Sequence, residues 1–231
     1  MSKLQKIYDV LLEEFGPQGW WPVTKEGKLV PRYDSGPKNG KQQFEVVVGA
    51  ILTQNTSWAN VEKAIFNLNK AKLIDAEKLL ETDEKKLASL IKPAGYYNQK
   101  AKKLKNVAVF FAANKDIFKL KVPLMREKLL AVNGIGPETA DSIILYAANK
   151  PIFLIDAYTK RIMFRLGFCK EDVKYDELQK LFMNNLPKDA KIFNEYHALL
   201  VEHAKIYCRK KPNCADCVLR RNCNYLNNKN L

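Results

Sequence analysis

With 231 residues, the chain has room for one large domain or two small ones. Apolar residues make up 47% and aromatic residues 10%, which excludes a disordered basic tail. The 39 Lys and Arg against 25 Asp and Glu give a formal charge of +14. This surplus favours a polyanionic partner such as nucleic acid, although many small basic proteins bind nothing specific.

No apolar run reaches the roughly 18–20 residues that span a bilayer, and the first residues lack the apolar region of a signal peptide. We therefore expect a cytoplasmic, nucleoid-associated monomer that does not contact membranes.

Helical spacing of apolar residues continues through almost the whole chain, so the sequence predicts an all-α fold of many short helices. The helices are expected, in chain order, at residues 3–15, 58–71, 75–81, 84–91, 97–113, 122–131, 137–148, 157–166, 175–185 and 190–207. A polar stretch rich in Gly and Pro follows the first helix and is typical of an extended surface segment or a domain boundary. The dense apolar run at 44–52 fits a helix or a buried strand, but no partner strands appear beside it.

Residues 129–141 (Leu-Leu-Ala-Val-Asn-Gly-Ile-Gly-Pro-Glu-Thr-Ala-Asp) predict a helix-hairpin-helix. Gly134 and Gly136 permit a tight turn with positive φ, and Pro137 suits the first turn of a helix. The backbone N–H groups at Gly134, Ile135 and Gly136 would suit a DNA phosphate. A Gly-x-Gly turn alone more often marks only a turn between packed helices.

An aspartate, Asp156, follows the apolar residues 152–155 and begins a predicted helix. The local pattern favours an N-cap, for which Asp is a preferred residue. A carboxylate beside a phosphate-binding hairpin would also be well placed to face a deoxyribose.

Four of the five cysteines form one cluster near the C-terminus: Cys208, Cys214, Cys217 and Cys223. Without a secretory signal, a disulfide framework is not expected. Four thiolates fit tetrahedral zinc or an iron–sulfur cluster, and one Cys-x-x-Cys pair with single cysteines on both sides favours [4Fe–4S].

Together, the hairpin, the aspartate and the cysteines resemble the helix-hairpin-helix DNA glycosylases of the endonuclease III superfamily, over residues 40–226. The resemblance implies a six-helix domain at 40–150 and a second helical domain formed by 1–39 and 151–231. It also implies a groove between them for double-stranded DNA with a damaged base flipped out. Asp156 would be the catalytic carboxylate.

One position divides the chemistry of this superfamily. Bifunctional members have a lysine two residues after the second hairpin glycine, and its amine attacks C1′. Here that residue is Glu138, which cannot form an imine, so the resemblance implies a monofunctional glycosylase that leaves an abasic site. Lys160 is expected on an exposed helix face at the DNA rather than as a substitute amine.

Further segments are similar to the 3-methyladenine DNA glycosylases of this superfamily: Gly19-Trp20-Trp21-Pro22, Phe44-Glu45-Val46, Leu52-Thr53-Gln54-Asn55-Thr56 and Gly95-Tyr96-Tyr97-Asn98-Gln99-Lys100-Ala101-Lys102. This resemblance implies a base pocket lined by Trp20, Trp21, Pro22 and Phe44. An N3-alkylated adenine is cationic, so aromatic faces attract it. Without the resemblance, the two tryptophans could equally pack at a domain interface.

By the same resemblance, Gln54 and Asn55 would lie at a turn that enters the duplex, with Gln54 filling the gap left by the flipped nucleotide. Such amides can also merely cap the next helix. Tyr96 and Tyr97 could wedge against the opposite strand or pack, and His197 and His203 are expected to be structural.

The sequence thus predicts a monofunctional glycosylase for alkylated purines in base excision repair. Two alternatives stay open: a glycosylase/lyase for oxidised pyrimidines, and a non-catalytic DNA-binding module with structural zinc.

Overall fold

A computed structural model describes residues 2–34 and 36–227 of the chain. Their α-helices are, in chain order, α1 (Lys3–Phe15), α2 (Gly40–Leu52), α3 (Trp58–Lys70), α4 (Ala76–Glu81), α5 (Glu84–Leu90), α6 (Tyr97–Ala113), α7 (Val122–Leu130), α8 (Pro137–Ser142), α9 (Ala157–Leu166), α10 (Tyr175–Asn185), α11 (Ala190–Ile206) and α12 (Asn224–Asn227). Within the described ranges the only extended pairing is one antiparallel bridge between Val23 and Arg32. The all-α prediction is therefore confirmed. No described helix is both long and apolar enough to cross a membrane.

The predicted helix at 137–148 is divided in the structure. Regular α-helix ends at Ser142, and a π-helical turn continues it over Ile143–Ala147. Its closing bond is donated by the N–H of Ala148 to the carbonyl of Ile143, at 3.2 Å. Wide turns of this kind are rare and often occur at functional sites.

The chain divides into two compact units. One combines the described residues up to Gln18 with those from Pro151 onward, and the other spans Gly19–Lys150. The boundary at 150/151 lies where the sequence analysis places it, whereas residues 19–39 belong with 40–150 rather than with the terminal segments.

The packing of residues 20–24 explains this correction. Trp21 lies against Gly49 of α2, where an added Cβ would be 3.2 Å from the indole nitrogen. Buried Glu45, also on α2, accepts hydrogen bonds from the Thr24 N–H (2.7 Å) and hydroxyl (2.9 Å). Burial raises the pKa of Glu45, and these hydrogen bonds only partly oppose the rise.

Helix α2 forms the core of the Gly19–Lys150 unit. Every residue from Phe44 to Leu52 is buried, because other helices surround this segment on all sides. This explains why the apolar run has no helical periodicity, and it settles that the run is a helix and not a strand. Asn39 caps its first turn by accepting from the N–H of Gln42, at 3.0 Å. The helix packs on α3, α6, α8 and the π-helical turn.

The other unit is built around α11, on which α1 and α9 pack. Tyr196 of α11 is fully buried and donates its hydroxyl to the carbonyl of Leu4 at 2.9 Å. Phe153 stacks on Phe182 of α10 with ring centroids 3.8 Å apart. This packing buries the extended residues 152–155 and fixes where α9 begins.

Candidate active site and DNA interface

Asp156 is the N-cap of α9. Its backbone is extended (φ −109°, ψ 179°), and its Oδ1 accepts a hydrogen bond from the N–H of Thr159 at 2.7 Å. The other oxygen, Oδ2, lies 3.5 Å from Nε2 of His197 on α11. The side chain keeps 14% of its surface exposed, so the carboxylate is sheltered but still open to solvent on one side.

The charge of Asp156 is set by opposing effects. Burial by itself would raise the pKa of the carboxyl, but the hydrogen bond and charge of His197 and the bonds from Thr159 outweigh it, and the pKa lies below its ordinary value. The group is therefore ionised at neutral pH. The structure confirms that Asp156 caps the helix. It also places buried His197, expected from the sequence to be only structural, beside the Asp156 carboxylate.

The predicted hairpin connects α7 to α8. Gly134 has φ +101°, and a Cβ there would meet the Lys103 side chain at 2.6 Å, so a side chain is excluded twice over. Gly136 has φ −96° and is the N-cap of α8, so the expected positive φ occurs only at Gly134. The N–H of Ile135 donates to the carbonyl of Val132 at 3.0 Å. Ile135, predicted to bind phosphate, instead closes the turn, and the donors left at the hairpin are those of the glycines and of the start of α8.

Glu138, which the resemblance places at the position of the lyase lysine, lies exposed in the first turn of α8. The carboxylate suits this position because the N-terminus of a helix carries partial positive charge.

Gln54 is held by the hairpin. Its Nε2 donates to the Gly134 carbonyl at 3.2 Å and to the Thr139 hydroxyl at 3.1 Å, and its Oε1 accepts from Nζ of Lys103 at 2.5 Å. The neighbouring Asn55 is exposed, with left-handed backbone at φ +55°. The structure thus uses the Gln54 amide to tie the turn to the hairpin and presents Asn55 to solvent.

The tryptophan pair lies in an aromatic cluster. Trp21 is 5% exposed and packs with ring centroids 5.0 Å from Tyr146 and 5.5 Å from Trp58, while Trp20 lies 6.0 Å from Tyr146. Pro22 is buried beside them in the chain. Trp58 and Tyr146 were missed by the sequence analysis, because nothing in their own segments distinguishes them from core residues.

Phe44, predicted for the same pocket, lies elsewhere. Its ring is 7% exposed and packs edge-on against Phe111, with centroids 5.7 Å apart, and the two line a separate pocket together with Phe118. The reason is helical geometry: Phe44 and Gly49 are five residues apart on α2, so they face different directions. The structure therefore brings Trp20 and Trp21 together but does not bring Phe44 to them.

All five cysteines are free thiols, and the four near the C-terminus line one pocket: Cys208, Cys214, Cys217 and Cys223. Burial, together with the charges of the other three thiols, raises the pKa of Cys217 to about 11, and the effect of these charges reflects the proximity of the four groups. Arg165 of α9 donates to Sγ of Cys208 at 3.3 Å. In the part of the chain that the structure describes, no group of His, Cys, Asp or Glu is arranged to hold a metal ion.

The four thiols are of the ligand type that an iron–sulfur cluster or zinc binds in its deprotonated form, and Arg165 places a cation beside one of the sulfurs. The cluster stays a prediction. Lys160, the other residue predicted at the DNA, is half-buried on α9, one turn after Asp156.

Comparison with known proteins identifies the class. Residues 48–188 match the HhH-GPD superfamily of base excision DNA repair proteins, and the chain belongs to this superfamily. It is 48% identical over 226 residues to a candidate DNA repair glycosylase of Methanocaldococcus jannaschii, covering 95% of each chain. The protein is therefore a DNA glycosylase of base excision repair.

Two solved structures place the fold within the superfamily. A trapped covalent intermediate of endonuclease III with DNA matches over the full length of both chains, with a TM-score of 0.78 and 21% identity. The 3-methyladenine DNA glycosylase (MagIII) of H. pylori, bound to 1,N6-ethenoadenine, matches with a TM-score of 0.66 and 29% identity, over 88% of this chain and 98% of that one.

Proposed function

We propose that the protein is a monofunctional glycosylase that removes alkylated purines of the 3-methyladenine type and leaves an abasic site. The observation that carries this proposal is the ionised carboxylate at Asp156. The monofunctional assignment rests on Glu138, a carboxylate at the position where the resemblance places the amine of a lyase. The half-buried ring of Trp20, beside buried Trp21 and Tyr146, supports the substrate class, because ring faces attract a cationic base.

In the proposed reaction, the C1′–N bond of a flipped alkylpurine breaks and the positive charge moves to the sugar. The alkylated base is already cationic, so it leaves as a neutral purine without a general acid. Oδ2 of Asp156 stabilises the developing oxocarbenium charge and accepts a proton from the attacking water. Thr159 keeps Oδ1 fixed, so the carboxylate does not have to reorient as the charge develops.

We propose that the glycine N–H groups of the hairpin bind a phosphate of double-stranded DNA, and that Asn55, rather than Gln54, fills the gap left by the flipped nucleotide. The Gln54 amide is already bonded on both of its atoms, whereas Asn55 is exposed at the tip of its turn. Replacement of Gln54 would then disturb the hairpin itself.

We also propose that the four clustered cysteines hold a [4Fe–4S] cluster, which would join the loop into one rigid platform. Their shared pocket and the Arg165 donor support this assignment. Purified protein should be brown and absorb at about 400 nm if the cluster is present, whereas a colourless zinc-containing protein would contradict it.

Asp156→Asn is the sharpest test of the mechanism. Asparagine is as good an N-cap as aspartate, so the variant should stay folded, with a Tm below that of wild type only by the lost charge interaction with His197. It also loses the charge that stabilises the sugar cation. We expect base release to fall at least about 100-fold, or about 2.7 kcal/mol in barrier, while binding of lesion DNA is retained.

The matched control is Asp189→Asn, at the N-cap of α11, where the carboxylate likewise accepts from backbone N–H groups. Equal loss of base release in both variants would mean that Asp156 only caps the helix.

A duplex panel containing 3-methyladenine, 7-methylguanine, thymine glycol, uracil and G·T pairs then tests the substrate class. Release of thymine glycol with a borohydride-trapped adduct would contradict the monofunctional proposal and favour a lyase.

A further inference from the structure

Lys100 of α6 is a buried lysine with an unusual pair of partners. Its side chain is only 2% exposed, and Nζ donates to the carbonyl oxygens of Leu52 at 2.8 Å and of Ala94 at 2.9 Å. Leu52 is the last residue of α2, and Ala94 ends a short 3-10 helix, Lys92–Ala94. One ammonium group therefore binds the C-terminal carbonyls of two helical segments, where a positive charge is favourable.

Each of these carbonyls immediately precedes a turn with left-handed backbone at an exposed residue that is not glycine. Asn55 has φ +55° three residues after Leu52, and Tyr96 has φ +45° two residues after Ala94. Tyr96 is 66% exposed, the largest exposure among the large apolar side chains in the described part of the chain. Such backbone costs free energy and persists only where the surroundings hold it, as functional sites often do.

We propose that Lys100 is a positioning residue that fixes the Asn55 and Tyr96 turns to each other, so that both enter the DNA as one rigid pair. The inference rests on the proposed function, because it assigns these turns to the opening of the duplex. It adds a residue that touches neither the DNA nor the reacting atoms.

The chemistry of the site supports this role. A buried ammonium is costly, and an apolar side chain of the same length would fill the space without that cost. Only the ammonium can bind two carbonyls from separate segments with charge-assisted hydrogen bonds. Burial lowers the pKa of Lys100 to about 8, with Lys103 adding to the effect, so the charged form still predominates at neutral pH.

The test uses the full-length protein and a duplex that carries a tetrahydrofuran abasic analogue opposite 2-aminopurine. The 2-aminopurine brightens when the turns unstack it, so the signal is independent of base release. Lys100→Met keeps the length and apolar volume of the side chain but loses both hydrogen bonds. Lys102→Met, on the exposed face of the same helix, removes one charge and nothing else that the structure shows.

We expect wild type and Lys102→Met to give the full fluorescence rise at saturating protein, and Lys100→Met to give less than about half of it. An undiminished rise with Lys100→Met would overturn the proposal, as would a wild type that gives no rise. Base release from methylated duplex DNA is measured in parallel. Failure of wild type to release base, with the fluorescence pattern intact, would count against the proposed function and leave this inference standing.

If circular dichroism shows that Lys100→Met is unfolded, wild type is titrated from about pH 7 to about pH 9.5. The groups that reach Lys100 from α2 and from Lys92–Ala94 are carbonyls, and Lys103 is the charged group that acts on it. Loss of the charge weakens both hydrogen bonds, so the fluorescence rise should decline with a midpoint near pH 8. A flat profile would overturn the proposal.

Discussion

At the scale of single residues, Asp156 and His197 show how one contact sets the charge of a group. The histidine is 3% exposed and lies 3.5 Å from the carboxylate oxygen that does not cap the helix. Its hydrogen bond and charge offset the effect of burial and keep the pKa of Asp156 below the usual range. The pair comes from α9 and α11, which are distant in the chain and share no sequence signal.

His197→Phe should raise the pKa of Asp156, because burial then acts with less opposition. In the proposed reaction the carboxylate works only when ionised, so the acid limb of the base-release profile should shift to higher pH, with little change at the plateau. The contribution of Asp156 to stability is present above its unfolded pKa and is lost as the pH falls through the folded value, so the variant should also unfold at a higher pH on acidification. His197→Gln keeps a hydrogen-bond donor, so the midpoint of its acid limb should lie between those of wild type and His197→Phe. Identical acid limbs in all three proteins would contradict this account.

At the scale of secondary-structure elements, α9 connects the aspartate to the cysteine loop. Arg161 donates to the Cys208 carbonyl at 2.8 Å, and Arg165 donates to the Arg209 carbonyl at 2.7 Å as well as to Sγ of Cys208. The loop has little regular structure of its own, so these side chains hold its backbone to the helix that begins at Asp156.

Arg165→Met keeps an apolar stem but leaves the loop carbonyls without their donor. We expect the free energy of unfolding to fall by about 1–3 kcal/mol, measured by denaturant unfolding with circular dichroism. Lys160→Met, on the same helix, is the control and should stay within about 0.5 kcal/mol of wild type. A similar loss in both variants would mean that α9, and not its hold on the loop, was damaged.

The elements also show what the sequence predicts well. The bounds of α1, α6, α9 and α10 agree with the predicted ranges to the residue, because apolar spacing is a local signal. Capping side chains add a second local signal at the starts of α1 and α9, where Ser2 and Asp156 accept from backbone N–H groups. The aspartate cap was predicted for the same reason. The sequence did not predict the partners of Trp21, the position of Phe44 or the burial of Lys100. Each of these depends on which faces of helices far apart in the chain pack together. Even the division of 137–148 into α-helix and π-helical turn has no local signal.

At the scale of the whole molecule, the charge of +14 should affect the affinity for DNA much more than the rate of base release. Each phosphate neutralised releases counterions, so log Kd for undamaged duplex should rise steeply with log salt, with a slope of about 0.9 per phosphate contacted. Fluorescence anisotropy across a salt series measures this slope. The single-turnover rate of base release from the bound complex should stay constant over the same series, and a parallel decline would mean that salt acts on the reaction itself.

If the carboxylate at the start of α9 both caps the helix and acts in base release, as we propose, two different screens should tolerate different residues at this position. A screen that rewards only a soluble, heat-resistant polypeptide should accept Asn, Ser or Thr there, since all begin helices well. A screen that rewards survival of alkylation damage should accept aspartate alone. Wherever a relative carries Asn at this position, we expect a folded protein that binds damaged DNA but does not release the base.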